Sequence, residues 1–168
     1  MQSRMKNPAM VIPDAMKALH QLASALGESG VAKSTLRLIE LRASQINGCG
    51  VCVDMHAREM RQAGETDERL FAVAAWRDTP YFSDGERAAL GLTEAVTRLA
   101  DCADAVPDDI WDEAARHYDE RALAGVLLAI ATINVWNRLN ASTRQVAGDW
   151  LKSAEAREWV AKGQAVAG

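Results

Sequence analysis

The chain has little of what sheet folds, disulfide scaffolds and nucleic-acid surfaces require. Among its 168 residues are only four prolines and three cysteines, and β-branched residues nowhere alternate with polar ones over a sustained stretch. Without that period of two, sheet folds drop out, and the abundance of Ala, Leu, Glu and Arg predicts an all-α protein. Basic residues form no run and are not interleaved with aromatics, and the net charge is a mild -4, so nucleic acid is excluded as a partner. No apolar stretch approaches the roughly 18 residues of a membrane span. The opening Met1-Gln2-Ser3-Arg4-Met5-Lys6-Asn7 leads into no signal-peptide core. These absences predict one soluble cytoplasmic domain over residues 1–168. In that compartment thiols rest reduced, so the cysteines are read as chemistry rather than as a structural staple.

What is present centres on Asn47-Gly48-Cys49-Gly50-Val51-Cys52-Val53-Asp54-Met55-His56. Asn-Gly ends a helix and reverses the chain. No Pro or Gly follows from Val51 to Ala63, so a helix is predicted there with Cys49 at its N-terminus. At about 100° per residue, Cys49, Cys52 and His56 fall within roughly 60° of one another on that helix. Met60 and Ala63 continue the same face, and Asp54 and Arg58 point away. The partial positive charge of a helix N-terminus stabilises a thiolate. One turn of helix brings the two sulfurs within bonding distance, and His56, one turn beyond Cys52, is near enough to take its proton.

The remaining helices follow from their start and stop signals. Pro13-Asp14 opens one that closes at Gly27. Another spans about Ala32 to Ile46 and is apolar on so much of its circumference that it must be buried on two sides. Thr66-Asp67-Glu68 starts a short helix reaching Trp76. Ser83-Asp84-Gly85-Glu86 forms a capping box that launches a helix to about Cys102. Val106-Pro107-Asp108 starts one that ends at His117-Tyr118. From Asp119 runs the most apolar segment, a buried central helix too short and interrupted to span a membrane. It ends in Asn134-Val135-Trp136-Asn137-Arg138-Leu139-Asn140, a polar helix end that bonds neighbouring turns and stacks Trp on Arg. A peripheral helix with Trp150 and Trp159 is predicted over about 149–162. His20 and Cys102 are read as packing residues, and His117 as a dipole partner at a helix C-terminus. Glu40 has two readings, an ion pair with Arg37 or Arg42 and a proton-relay role at the redox helix.

The stretch Glu40-Leu41-Arg42-Ala43-Ser44-Gln45-Ile46-Asn47-Gly48-Cys49-Gly50-Val51-Cys52-Val53-Asp54-Met55-His56, with Ile133-Asn134-Val135-Trp136-Asn137-Arg138, resembles the alkylhydroperoxidase D-like branch of the carboxymuconolactone decarboxylase family. The likeness covers about residues 10–145. It implies an all-helical fold of about seven to eight helices, assembling as homo-oligomers, commonly trimers or hexamers. It also implies peroxide reduction, with Cys52 as peroxidatic cysteine, Cys49 as resolving partner and His56 as base. The redox-active disulfide needs no further cofactor and is recharged by a dithiol protein, such as one carrying a lipoyl group. Family members without the CxxC include the true lactone decarboxylases, so the cysteine pair argues against that activity. The best-known peroxidases of the branch carry a relay Glu twelve residues before the first cysteine, where this chain has Arg37, and a His between the cysteines, where it has Gly50-Val51. Glu40, one turn closer, substitutes only if its helix presents it to the site. Two further readings stand beside the peroxidase: a disulfide oxidoreductase, and a Cys₂His metal or sensor site built on two thiolates and an imidazole.

Overall fold

A computed structural model describes residues 1–152 and residue 158. The described residues form eight α-helices and no strand: α1 (Pro8–Val11), α2 (Pro13–Leu26), α3 (Lys33–Ile46), α4 (Gly50–Gln62), α5 (Asp67–Ala72), α6 (Asp84–Thr97), α7 (Asp108–His117) and α8 (Glu120–Ser142). The all-α expectation holds, and most helices start where their caps predicted. Ser83 and Glu86 make the reciprocal capping box of α6, Thr66 caps α5 and Asp119 caps α8.

Helix α3 is the axis of the molecule, packed against α4, α6 and α8. One side, Leu36 and Ile39, meets Ala89 and Leu92 of α6 and Leu123, Val126 and Ile130 of α8. The other, Leu38 and Leu41, meets Met60 of α4, Val73 and Trp76 of the 3-10 segment Val73–Asp78, and Phe82 and Leu90. This is the burial on two sides that its wide apolar surface predicted. Where α8 passes the loop after α2, a β-carbon on Gly125 would lie 2.4 Å from that of Ser29. Only glycine permits that approach.

Four features differ from expectation. The apolar segment is one unbroken helix of 23 residues, long and apolar enough by composition to cross a membrane. Half of its most apolar window is buried in the protein, which is the behaviour of a core helix. Ala124, Leu128, Ala131 and Val135 are exposed along its outer side. Helix α6 stops at Thr97, so Cys102 lies beyond it on the surface as a free thiol rather than in packing. Trp136 lies beside the ring of His20, centroids 6.4 Å apart, in place of a stack on Arg138. Of the predicted 149–162 helix, Asp149–Lys152 forms a 3-10 turn, and most of the rest, including Trp159, lies outside the described residues.

Glu94 ties the second half of the core together. Its buried carboxylate accepts from Trp76 Nε1 at 2.9 Å, from Arg42 at 2.6 Å and from Arg77 at 2.7 Å. Burial alone would raise its pKa, but the bonds from Arg77, Trp76 and Arg42 outweigh that and hold it down to about 2. A carboxylate lowered in the fold contributes stability above its unfolded pKa, about 4.5, that is lost as pH falls toward 2. Glu94→Gln is therefore expected to cost on the order of 3 kcal/mol at neutral pH. The difference from wild type should shrink between about pH 4.5 and 2, read from urea midpoints across pH.

Candidate active site

The site is set by how α3 hands over to α4. Asn47 ends α3 with ordinary helical dihedrals, and Gly48 alone takes the left-handed conformation, at φ 65°. Cys49 then caps α4, its N–H donating to Ser44 O at 3.0 Å, and Cys52 lies one turn on. The two cysteines are joined as a disulfide, both almost wholly buried, at 1% and 2% exposure. His56 follows on the same buried face, then Met60.

The turn is held from across the molecule. Asn47 Nδ2 donates to Asn134 Oδ1 and to Asn137 Oδ1, both at 2.9 Å. Asn137 Nδ2 donates to Ser44 Oγ, whose hydroxyl donates to Glu40 O. The asparagines of α8 are thus the polar helix end that bonds a neighbouring turn, and the turn they bond is the one that positions the disulfide. Asn140, one turn further, donates from Nδ2 to Cys52 Sγ at 3.4 Å.

Glu40 does face the redox helix. Its Oε2 lies 3.4 Å from His56 Nδ1, and Glu59 Oε2 lies 3.2 Å from the same nitrogen. Arg42, one candidate ion-pair partner for Glu40, is committed to Glu94 instead. Arg37, at the position of the missing relay Glu, acts on Glu40 and His56 through its charge alone. The structure thus brings Glu40, Cys49, Cys52 and His56 into one neighbourhood and adds Glu59 and Asn140. Glu59 carried a legible signal, since residues three apart on a helix meet. Asn140 carried none, being 88 residues from Cys52.

With carboxylate oxygens on both sides, Nδ1 carries the ring's hydrogen and Nε2 is left to exchange a proton. Nε2 is buried and makes no hydrogen bond among the described residues. Burial disfavours the imidazolium, yet the bond from Glu59 and the charges of Glu40 and Glu59 outweigh it, Arg37 opposing, and raise the His56 pKa. Burial raises the Glu40 pKa as well, His56 and Arg37 pulling it down and Glu59 pushing it up. The arrangement makes His56 a stronger base than a free imidazole. As for metal donors, the oxygen and nitrogen atoms of Glu40, His56 and Glu59 lie within 4.8 Å of one another, while Cys49 and Cys52 spend their thiolates on each other.

The chain is similar to several known proteins. Residues 13–95 match the model of the carboxymuconolactone decarboxylase family. The uncharacterized protein YdfG of Bacillus subtilis is 35% identical over 130 residues, 77% of this chain and 87% of that protein. A solved structure from Agrobacterium tumefaciens, of unknown function and described as a putative antioxidant defence protein AhpD, superposes with a TM-score of 0.80. It is 36% identical and covers 87% of this chain and 98% of its own. The alkyl hydroperoxide reductase AhpD of Bradyrhizobium diazoefficiens is 47% identical over 45 residues, 27% of this chain and 25% of that enzyme.

Replacing Glu59 by Gln removes one of the charges that raise His56 and leaves only a neutral amide oxygen to accept from its Nδ1. Its imidazole is then expected to titrate at lower pH than in wild type, as followed by the His56 ring resonances in NMR spectra. An unmoved titration would show that Glu59 does not act on His56.

Proposed function

Because the chain belongs to the alkylhydroperoxidase D-like branch of the carboxymuconolactone decarboxylase family, we propose that it is a thiol peroxidase that reduces hydrogen or organic peroxides. The observation that carries this reading is the Cys49–Cys52 disulfide opening α4, with a carboxylate-backed histidine one turn beyond. In the reduced protein Cys52 attacks the peroxide as thiolate, forming a sulfenic acid and expelling alkoxide or hydroxide. His56 takes the thiol proton beforehand and returns it to the leaving oxygen. Cys49 then displaces water from the sulfenic acid to close the disulfide. A dithiol, such as a protein-bound lipoyl group, restores both thiols and leaves as its own disulfide. Glu40 backs His56 in the role of the relay carboxylate. The cycle suits the cytoplasm, where such reductants keep thiols reduced. A disulfide oxidoreductase shares every element except the peroxide.

Mixing the reduced protein with hydrogen peroxide or an organic hydroperoxide in stopped flow is expected to consume two thiols rapidly and saturably. Cys52→Ser should abolish this, and His56→Gln should slow it by about 100-fold or more. Loss no faster than that of a free thiol, with fast exchange against a model disulfide, would move the assignment to the oxidoreductase.

We also propose a homo-oligomer, a trimer or hexamer. Supporting it are Leu128 and Val135, 45% and 42% exposed along one side of α8, and Met10, Val11 and Ile12 exposed around the α1–α2 junction. Light scattering on the eluting protein should give three or six times the 18.2 kDa chain mass. Leu128→Glu with Val135→Glu should lower that mass, and a monomeric wild type would overturn the assembly.

A further inference from the structure

We propose that Asn140 is a catalytic residue that stabilises negative charge on Cys52 Sγ, and that Asn7 is the positioning residue that aims it. The proposal rests on the reading above only in taking Cys52 as the sulfur that carries charge in the redox cycle.

The direction of the contact follows from a chain of donors and acceptors anchored on a backbone amide. The N–H of Ala9 can only donate, and it donates to Asn7 Oδ1 at 2.9 Å as the cap of α1. That leaves Asn7 Nδ2 as the free donor, and it donates to Asn140 Oδ1 at 2.6 Å. With its oxygen taken, Asn140 has only its amide nitrogen to present to Cys52 Sγ, 3.4 Å away. Inverting either side chain would set like groups against each other, so the order is unique. Asn7 is itself buried, at 6% exposure. The segment carrying it is strapped over the end of α8: Arg4 N–H donates to Thr143 O at 2.9 Å, Arg4 Nη1 to Ser142 O at 3.0 Å, and Gln145 Nε2 to Met5 O at 2.9 Å. A donor so held gains strength when the sulfur becomes a thiolate, because hydrogen bonds to charged acceptors are roughly twice as strong as those to neutral ones. It serves both halves of the cycle. It favours the attacking thiolate, and it favours Cys52 as leaving group when a reductant thiolate attacks Cys49 Sγ, forming a mixed disulfide there as the Cys49–Cys52 bond breaks. The second reductant thiol then displaces Cys49, and two electrons have passed from the dithiol to the protein. The ionisable groups facing this face of α4 are His56 and Glu59 on α4 and Glu40 and Arg37 on α3, and none is hydrogen-bonded to Asn7 or Asn140 among the described residues.

The test is a thiolate titration by absorbance near 240 nm, without peroxide, in a Cys49→Ser, Cys102→Ser background where Cys52 is the remaining thiol. Asn140→Ala is expected to move the midpoint upward by about one pH unit, about tenfold less thiolate at a given pH below it. Asn7→Ser keeps an acceptor for the Ala9 N–H but is too short to reach Asn140, and should move the midpoint the same way. The double variant should match Asn140→Ala alone, since Asn7 acts only through Asn140. A midpoint unmoved by Asn140→Ala overturns the proposal, and additive shifts overturn the positioning role of Asn7. If Asn140→Ala fails to fold by circular dichroism, Asn7→Ser, in the strap outside the helical core, decides alone. Shifted midpoints in a protein that ignores peroxide would uphold the inference while removing the peroxidase reading.

Discussion

Everything at the site depends on one amide. Asn47 Nδ2 bridges the side-chain oxygens of Asn134 and Asn137, and so pins the α3–α4 turn to a helix nearly ninety residues later in the chain. The clamp fixes the reversal from which the cysteines open α4. With it, the disulfide is pressed into a nearly water-free wall, where electrostatic interactions are stronger than in solvent. Displacing that half-buried amide would cost Asn137 Oδ1 and Asn134 Oδ1 a donor each, while their own amide groups stay bonded to Ser44 and to Ile130 O.

The low-dielectric setting is why the electrostatics of the site are paired so carefully. An imidazole at 6% exposure would ordinarily lose its proton affinity. Two carboxylates on a single ring nitrogen reverse that, one from the helix that carries the histidine and one from its neighbour. Burial raises the proton affinity of Glu40, with His56 pulling it down and Glu59 pushing it up, so the cluster behaves as a coupled unit rather than as three independent groups. Glu94, on α6, shows the opposite solution, a buried carboxylate saturated by cations and an indole N–H, and hence locked in its charged form.

Much of this was legible in the sequence where the determinants are local. Helical periodicity put Cys49, Cys52 and His56 on one face, and capping residues placed α5, α6 and α8. The two-sided burial of α3 followed from its apolar width, and Glu40 from its distance to the turn. Glu59 lies three residues beyond His56, an offset that meets it on a helix, but on its own it reads as one more solvated acid of α4. Helix α1 is only four residues long, below the length at which periodicity speaks, although Asn7-Pro8 is a start signal. Asn47 reads locally as a residue that tolerates positive φ, yet Gly48 takes that burden and Asn47 spends its side chain on α8. The partnership of Asn7, Asn140 and Cys52 spans the chain and leaves no mark in any window of sequence.

The strap has a topological consequence. Arg4 and Thr143 are joined by a backbone hydrogen bond of 2.9 Å, so the described helices form a loop whose two ends touch. Joining those ends and opening the chain in the exposed stretch around Cys102 and Asp104, between α6 and α7, would leave every site contact within one polypeptide. In such a rearranged chain α8 would precede α3, and Asn140 and Asn7 would become near neighbours in sequence. The site is thus closed by the contact between the two ends of the helical run rather than by any one stretch of chain.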